Sequence, residues 1–388
     1  LARSEPIDAV TVSDELERMG ALEDVGGRGY IFGLSSSVTV AANARSHAQI
    51  VRDLAILRRV AAAGLEIAEI GYARQGDVRD ILDRAESAIF DVSQSRTNAD
   101  IVPLDGLLAD EVERISAAAE HRGLTGVSSG LRDLDRMTSG FQRSNLIILA
   151  ARPAMGKTSL ALGIARHLGV SAKVPVVVFS LEMSRQEIAQ RFISTEARVD
   201  SSRMRSGEVR EEDWVRIQDA CSRLEHAPIY IDDTAGINLM EIRSKARRLK
   251  MREPDLGLII VDYLQLMSSG GREENRVQEV SQISRQLKVL ARDLDVPVIA
   301  LSQLSRRVEE RTDKRPLLSD LRESGSIEQD ADLVMFIYRD DYYNKESSEK
   351  PGIAEIILAK HRNGAVGHID AAFMEHYTTF ADLARGEV

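Results

Sequence analysis

The sequence predicts an α/β domain with a mostly parallel sheet flanked by helices, preceded by an all-α N-terminal domain and a helical linker. Three observations predict it. Residues 1–100 carry apolar side chains at the three- and four-residue spacings of helices. From residue 124 onward, short runs rich in Val, Ile and Leu alternate with helical stretches, and several runs are apolar throughout, as strands buried on both faces are. One such run leads directly into Gly156-Lys157-Thr158, a phosphate-binding loop in strand-to-helix context. The length of 388 residues suits two or three domains at roughly 100–200 residues each.

Composition narrows the class. With 43% hydrophobic and 29% charged residues the chain can bury a core, which excludes a disordered or fibrous protein. A single cysteine, Cys221, excludes an intramolecular disulfide framework and a cysteine zinc cage, so a reducing, cytoplasmic setting is expected. No apolar run approaches the roughly 20 residues that cross a bilayer, and Leu1-Ala2-Arg3-Ser4-Glu5-Pro6 lacks the apolar core of a signal peptide. A soluble protein with no membrane partner is expected. The 51 Lys and Arg against 61 Asp and Glu leave a net charge of -10, which removes bulk attraction to nucleic-acid phosphates. Any nucleic-acid contact must then come from a local surface or from backbone N–H groups, and composition by itself favours an enzyme without such a partner.

The elements follow in order. Thr11-Val12-Ser13-Asp14 reads as a helix start, and Ile50, Leu54, Leu57, Ala61 and Leu65 form one apolar face of a long helix. After a break around Gly71 to Gly76, Val78, Leu82, Ala85 and Ile89 form a second helix and so a helical hairpin. Nothing in the opening residues obviously covers these faces, so the domain over 1–100 is expected to be incomplete at its start or to complete its core against another chain. Residues 101–123 form a connector, with Pro103 and Gly106 ahead of a short helix carrying Leu108, Val112 and Ile115, which Gly123 ends. A plain linker and a helix docked on a neighbour fit it equally. The α/β domain spans 124–388. Its strands are expected at Leu146–Ala150, Val176–Ser180, Ile229–Asp232, Leu258–Asp262, Pro297–Leu301, Asp332–Tyr338, Ile353–Ala359 and Ile369–Phe373. Helix faces of Trp214, Ile217, Cys221 and Leu224, and of Val277, Val280, Ile283, Leu287, Leu290 and Leu294, are expected to cover the sheet, with Trp214 and Cys221 in the core.

The chemistry gathers at strand ends. In Ala151-Arg152-Pro153-Ala154-Met155-Gly156-Lys157-Thr158, followed by Ser159, backbone N–H groups and a helix N-terminus can cradle phosphates. Lys157 can reach the terminal phosphates and Thr158 can ligate magnesium; Ala151 replaces the first glycine of the usual pattern. The run Leu258 to Asp262 ends in the carboxylate that such sites use to hold magnesium. Glu182 ends another apolar run, where it can polarise an attacking water or merely place negative charge at a helix start. Gln303 can sense a γ-phosphate or make a structural hydrogen bond. Lys360 and Arg362, before the Asn363-Gly364 turn, have no evident intrachain acid beside them and can act on a neighbouring subunit's nucleotide. A solvated hairpin end is the plainer alternative.

These blocks, with Phe179-Ser180-Leu181-Glu182-Met183, Val261 to Met267, Leu301 to Arg306, Asp320 to Asp330 and Ala359 to Gly364, resemble the successive motifs of the bacterial DnaB-type replicative DNA helicases. Ala41-Ala42-Asn43-Ala44 and the helix through Ile50 to Arg59 resemble that family's N-terminal domain, so the likeness covers nearly the whole chain. The family normally has more helical sequence at the front. The resemblance implies a RecA-like P-loop NTPase motor domain in a homohexameric ring that uses ATP and Mg2+ to translocate on single-stranded DNA and unwind duplex. It implies phosphate and magnesium binding by Lys157, Thr158 and Asp262, and catalysis by Glu182. Gln303 would couple the γ-phosphate to a DNA loop, with Lys360 and Arg362 acting across the subunit interface. Arg322, Glu323 and Gly325 would grip the DNA backbone, a primase and a helicase loader would be partners, and the protein would sit at forks in the nucleoid. A RecA-like recombinase or clock-type ATPase, and an assembly scaffold that binds ATP structurally, are the competing readings.

Overall fold

In the computed structural model, residues 8–37, 44–73, 124–262, 276–321, 325–344 and 347–383 are described, with scattered positions between 77 and 116. The chain divides into two compact units, Leu1–Asp110 and Glu111–Val388.

The first unit contains helices α1 (Ala9–Arg18), α2 (Gly27–Ser37) and α3 (Ala44–Ala73). Helix α1 begins before the expected start. Asp8 is its N-cap, accepting from the backbone N–H of Val10 and Thr11, and the Thr11 hydroxyl oxygen accepts the Asp8 N–H in return. Thr11 is therefore the reciprocal member of a capping box, not the cap. The Thr11 N–H lowers the Asp8 carboxyl from its ordinary value more than any other contact does. In α3 the stripe through Ile50, Leu54, Leu57 and Leu65 is exposed, whereas Ala63 and Ile70 are buried. The inward face is thus rotated from the expected one, and the helix runs through Gly71 to Ala73. The expected partner positions Val78, Leu82 and Ile89 lie outside the described residues, as do Pro103, Gly106, Ile115 and Gly123 of the connector. Leu108 and Val112 are described, helical and exposed.

The second unit is built on a nine-stranded sheet. Its elements run α4 (Arg132–Thr138), β1 (Leu146–Ala151), α5 (Lys157–Arg166), β2 (Val176–Ser180), α6 (Arg185–Ala197), α7 (Ser201–Ser206) and α8 (Glu211–Glu225). Then come β3 (Ile229–Asp232), α9 (Leu239–Arg252), β4 (Leu258–Asp262), α10 (Arg276–Leu294) and β5 (Val298–Gln303). Last are α11 (Gly325–Asp330), β6 (Leu333–Tyr338), α12 (Asp340–Tyr343), β7 (Ile353–His361), β8 (Gly367–Met374) and β9 (Thr379–Asp382). The order β3-β2-β4-β5-β1-β6 is parallel throughout, and β7, β8 and β9 continue it antiparallel. Every residue of β1, β2, β4 and β6 is buried, because helices cover both faces. One core holds Leu160, Ile164, Ile188 and Phe192 against the sheet, and the other holds Val280, Ile283, Leu287 and Leu290 of α10.

Two expectations fail here for identifiable reasons. Trp214 is 54% exposed and Cys221 is exposed. The inward stripe of α8 is Asp213, Ile217, Ala220 and Leu224, so Trp214 and Cys221 each fall one residue, about 100°, off it. Strand β9 was not anticipated at all. Its four residues alternate too briefly to register, yet it pairs with β8 and its Asp382 accepts from both the backbone N–H and the guanidinium of Arg132.

Candidate functional site

Parallel strands fed by right-handed crossovers place their carboxyl ends along one edge, and the catalytic candidates lie along it. Strand β1 leads into Arg152–Gly156 and then α5. Gly156 caps α5 at φ 96°, and a Cβ there would lie 2.9 Å from the Phe380 ring. Both backbone and space therefore require glycine. We expect Gly156→Ala to cost about 1–3 kcal/mol, read as a lower melting temperature, and to weaken ADP binding by about tenfold or more; an unchanged titration would contradict this.

Behind the loop, Asp262 at the end of β4 is buried at 2% exposure. Its Oδ2 accepts the Thr158 hydroxyl at 2.9 Å, and Lys157 Nζ lies 3.6 Å from Oδ1. Burial holds the Lys157 ammonium below the ordinary lysine range, and the charges of Asp262 and Glu182 oppose that shift. Phosphate oxygens would remove the same penalty. Asp262 Oδ1 has no hydrogen bond despite being buried. A buried carboxylate oxygen that is ion-paired with Lys157 but not hydrogen-bonded, beside a hydroxyl, suits a hard divalent cation such as Mg2+, which takes few protein ligands and completes its shell with phosphate and water. No cluster of three His, Cys, Asp or Glu able to cage a metal occurs among the described residues.

Strand pairing brings the other candidates beside these. Ser180 pairs with Asp262, and the Leu181 N–H donates to the Asp262 carbonyl at 2.7 Å. The Ser180 hydroxyl bridges to the carbonyl and N–H of Met183, so Glu182 sits on a pinned turn. Gln303 pairs with Ala151 across β5 and β1 and is the exposed end of its strand. The cleft, about 350 Å³, is lined by Ala151, Arg152, Pro153, Ala154, Gly156, Lys157, Thr158, Ser159, Glu182 and Gln303. Met155 is not among them, since its side chain is buried in the core. Arg152 faces the cleft, but its guanidinium donates to the Leu304 carbonyl and to Glu309. Sequence reasoning missed Arg191, Arg339, Phe373, Glu375 and Thr378, which complete the lining. Arg339 lies 4.2 Å over the Phe373 ring, and Phe373 packs on Phe380. None of these five sits in a motif, and the Phe373–Phe380 pairing depends on the unanticipated β9.

Lys360 and Arg362 are not brought into this cleft. Lys360 Nζ donates to the carbonyls of Glu328 and Gln329 at 2.5 and 3.4 Å. Arg362 donates to the Gln329 carbonyl at 2.5 Å and pairs with Asp332 at 3.3 Å. The expectation that these cations lack an intrachain acid is therefore corrected. They collect the terminal carbonyls of α11, where positive charge is favoured. Burial first, and then the adjacent Arg362, lower the Lys360 ammonium. At the following turn the His361 ring comes within 2.3 Å of where a Gly364 Cβ would be, so a larger residue there would have to displace that ring. Arg322 and Glu323 lie outside the described residues, and Gly325 opens α11. Just before them, the Asp320 carbonyl accepts the Ser305 N–H at 3.2 Å and its carboxylate accepts both Arg311 nitrogens.

Comparison with known proteins agrees with this architecture. The family described as DnaB-like helicase C terminal domain matches residues 126–382, and the DnaB-like helicase N terminal domain matches residues 1–53. The replicative DNA helicase DnaC of Bacillus subtilis is 48% identical over 385 residues, covering 99% of this chain and 84% of that protein. A solved DnaB-like replicative helicase, described with its interactions with primase, is 37% identical and covers 99% of this chain and 89% of that chain at a TM-score of 0.78. A solved ATPase domain is 44% identical and covers 74% of this chain and 100% of that chain at a TM-score of 0.70. The sheet and its loop are the RecA-like P-loop arrangement, and the chain belongs to the DnaB family of ATP-dependent replicative DNA helicases.

Proposed function

We propose that this chain is one subunit of a homohexameric ring that hydrolyses ATP between subunits, moves along single-stranded DNA and unwinds duplex at the replication fork. The observation that carries this reading is the convergence of Lys157, Thr158, Glu182 and Gln303 on one cleft with Asp262 bonded behind it. In this reading the backbone of Ala151 to Ser159 cradles the phosphates and Lys157 neutralises them. Thr158 and Asp262 hold Mg2+, which, when bound, offsets charge on the phosphate oxygens. Glu182 accepts the proton of the attacking water and so turns it into a nucleophile.

Force would leave the cleft by a short route. Gln303 is followed by Leu304, whose carbonyl is held by Arg152, and by Ser305, whose N–H holds Asp320. Asp320 directly precedes Leu321, Arg322 and Glu323, and Gly325 follows, so this contact joins the γ-phosphate sensor to the front of the DNA loop. Lys360 and Arg362 hold the far end, at the close of α11. Drawing those two cations towards a neighbour's nucleotide would release α11 and shift the loop. Six loops gripping the DNA backbone need few cations each, which accommodates a net charge of -10.

Residues 1–100 serve in this proposal as a helical assembly domain and 101–123 as a linker whose Leu108 and Val112 dock on an adjacent subunit, ahead of the motor over 124–388. A primase, as in the described helicase–primase structure, and a loader are the partners, and the protein works in the cytoplasm at the nucleoid. No helix among the described residues is long and apolar enough to cross a membrane. The test is strand separation. The intact protein should displace one strand of a forked duplex with ATP and not without it; ATP turnover on DNA with no displacement would favour a recombinase-like remodeller.

A further inference from the structure

Residues 304–321 lead from Gln303 at the cleft to Arg322 at the front of the DNA loop. The segment has little regular structure: Arg306–Glu310 and Leu318–Leu321 are short helical turns and the rest is irregular. Leu304, Val308 and Leu321 are buried in the same core as α10, which keeps the segment on the sheet. Apolar burial is non-directional, so these anchors hold the segment down without fixing where it sits along the surface. Directional contacts fix that, and two arginines supply them.

Arg311 reaches the foot of the loop. Its two terminal nitrogens donate to the two oxygens of the buried Asp320 carboxylate at 3.2 and 2.8 Å, and one of them also donates to the Arg315 carbonyl at 2.7 Å. The same carboxylate accepts the Leu317 N–H at 2.7 Å, and the Asp320 carbonyl accepts the Ser305 N–H. Arg315 continues the chain. Its guanidinium forks onto the buried Glu355 of β7 at 2.9 and 2.8 Å and lies 4.8 Å over the ring of Tyr338, the residue opposite Glu355 on β6. An unbroken series of contacts therefore runs from Asp320 through Arg311 and Arg315 to Glu355. Strand β7 carries Lys360 and leads into Arg362, so the series joins the foot of the loop to the strand of both cations. Arg311 is its pivot. Lysine could neutralise Asp320, but only a planar fork spans both carboxylate oxygens in fixed geometry and leaves a donor for the Arg315 carbonyl. None of Arg311, Arg315, Asp320 and Glu355 lines the cleft.

We propose that Arg311 is a positioning residue for DNA-stimulated turnover, holding the foot of the DNA loop in register with both β5 and β7. The assignment rests on the motor reading above and deepens it. A load on the loop then reaches Gln303 through Ser305 and reaches the strand of Lys360 and Arg362 through Arg315, because both routes meet at the Arg311–Asp320 fork. Without the fork the segment stays folded on its apolar anchors, and the loop moves without moving the cleft.

The test is the steady-state ATPase rate of the intact protein over a range of ATP concentrations, without DNA and with saturating single-stranded DNA, for the wild type, Arg311→Ala and Arg311→Lys. The DNA-free rate and the KM for ATP should stay within about twofold in all three, which also shows that the variants are folded. The rate gained on adding DNA should fall by about tenfold or more in Arg311→Ala. It should recover in part in Arg311→Lys, which keeps the charge and loses the fork. A proportional loss of the DNA-free and DNA-driven rates would make Arg311 a structural residue and overturn the proposal. Undiminished stimulation of Arg311→Ala would overturn it as well. Where Arg311→Ala does not fold, Arg311→Lys decides: reduced stimulation at an unchanged DNA-free rate supports the proposal, and wild-type stimulation overturns it. A wild type whose rate ignores DNA would instead defeat the motor reading itself, so the two failures are told apart by the wild-type measurement.

Discussion

Glu182→Gln should bind ADP and ATPγS nearly as the wild type does and lose about 10²- to 10⁴-fold in turnover with single-stranded DNA. The substitution keeps shape and hydrogen-bonding capacity while removing the proton acceptor. The turn that carries Glu182 is held by the Ser180 hydroxyl and by the Leu181 N–H on the Asp262 carbonyl, neither of which uses the Glu182 side chain. The site should therefore survive the change, and the loss should fall on the chemical step. The competing role, a negative charge near the start of α6, predicts something different. A charge–dipole contact is worth about 0.3–1 kcal/mol, so Glu182→Gln would then shift the melting temperature slightly and leave turnover intact. Measuring both quantities on one preparation decides between the roles.

Arg362→Ala carries the second large effect, a loss of about 10³- to 10⁵-fold in DNA-stimulated turnover if the guanidinium stabilises charge on a neighbour's phosphoryl group. The contacts of Arg362 with Asp332 and Gln329 complicate a simple loss. The fold should tolerate the change, because Asp332 keeps Lys288 at 2.5 Å and the Leu146 N–H at 2.8 Å. A purely internal role would still reduce activity through a loosened α11. Mixing separates the two. Arg362→Ala subunits retain a complete cleft, and Lys157→Ala subunits retain a complete Arg362. Rings assembled from both contain interfaces where each supplies what the other lacks, so the mixture should recover activity that neither variant has alone. An internal role predicts no recovery at any ratio.

How much of this was legible in the sequence depends on how far apart the contacting residues lie. The run Leu258 to Asp262 was readable as a strand ending in a carboxylate, because a strand buried on both faces must be apolar at every position. Lys157 and Thr158 were readable because the phosphate loop is contiguous. Strand-end placement likewise brought Glu182 and Gln303 to the cleft. What escaped was set by packing between distant segments. Arg191 carries no local signature, and its position follows from Ile188 and Phe192 entering the core. The partners of Lys360 and Arg362 are some thirty residues earlier in the chain, so neighbouring sequence made those cations look unpaired. The exposed Trp214 shows the limit of periodicity: one residue of offset on a helix, about 100°, puts Asp213 and Ala220 inward on α8 where Trp214 and Cys221 were expected.

The central claim is that this cleft hydrolyses ATP in response to single-stranded DNA. Its most direct test is the steady-state ATPase rate of the intact protein with and without single-stranded DNA, with Lys157→Ala measured in parallel. A rate that rises with DNA and is lost in Lys157→Ala is the predicted result. A rate that ignores DNA, or that persists without the Lys157 ammonium, would contradict the account.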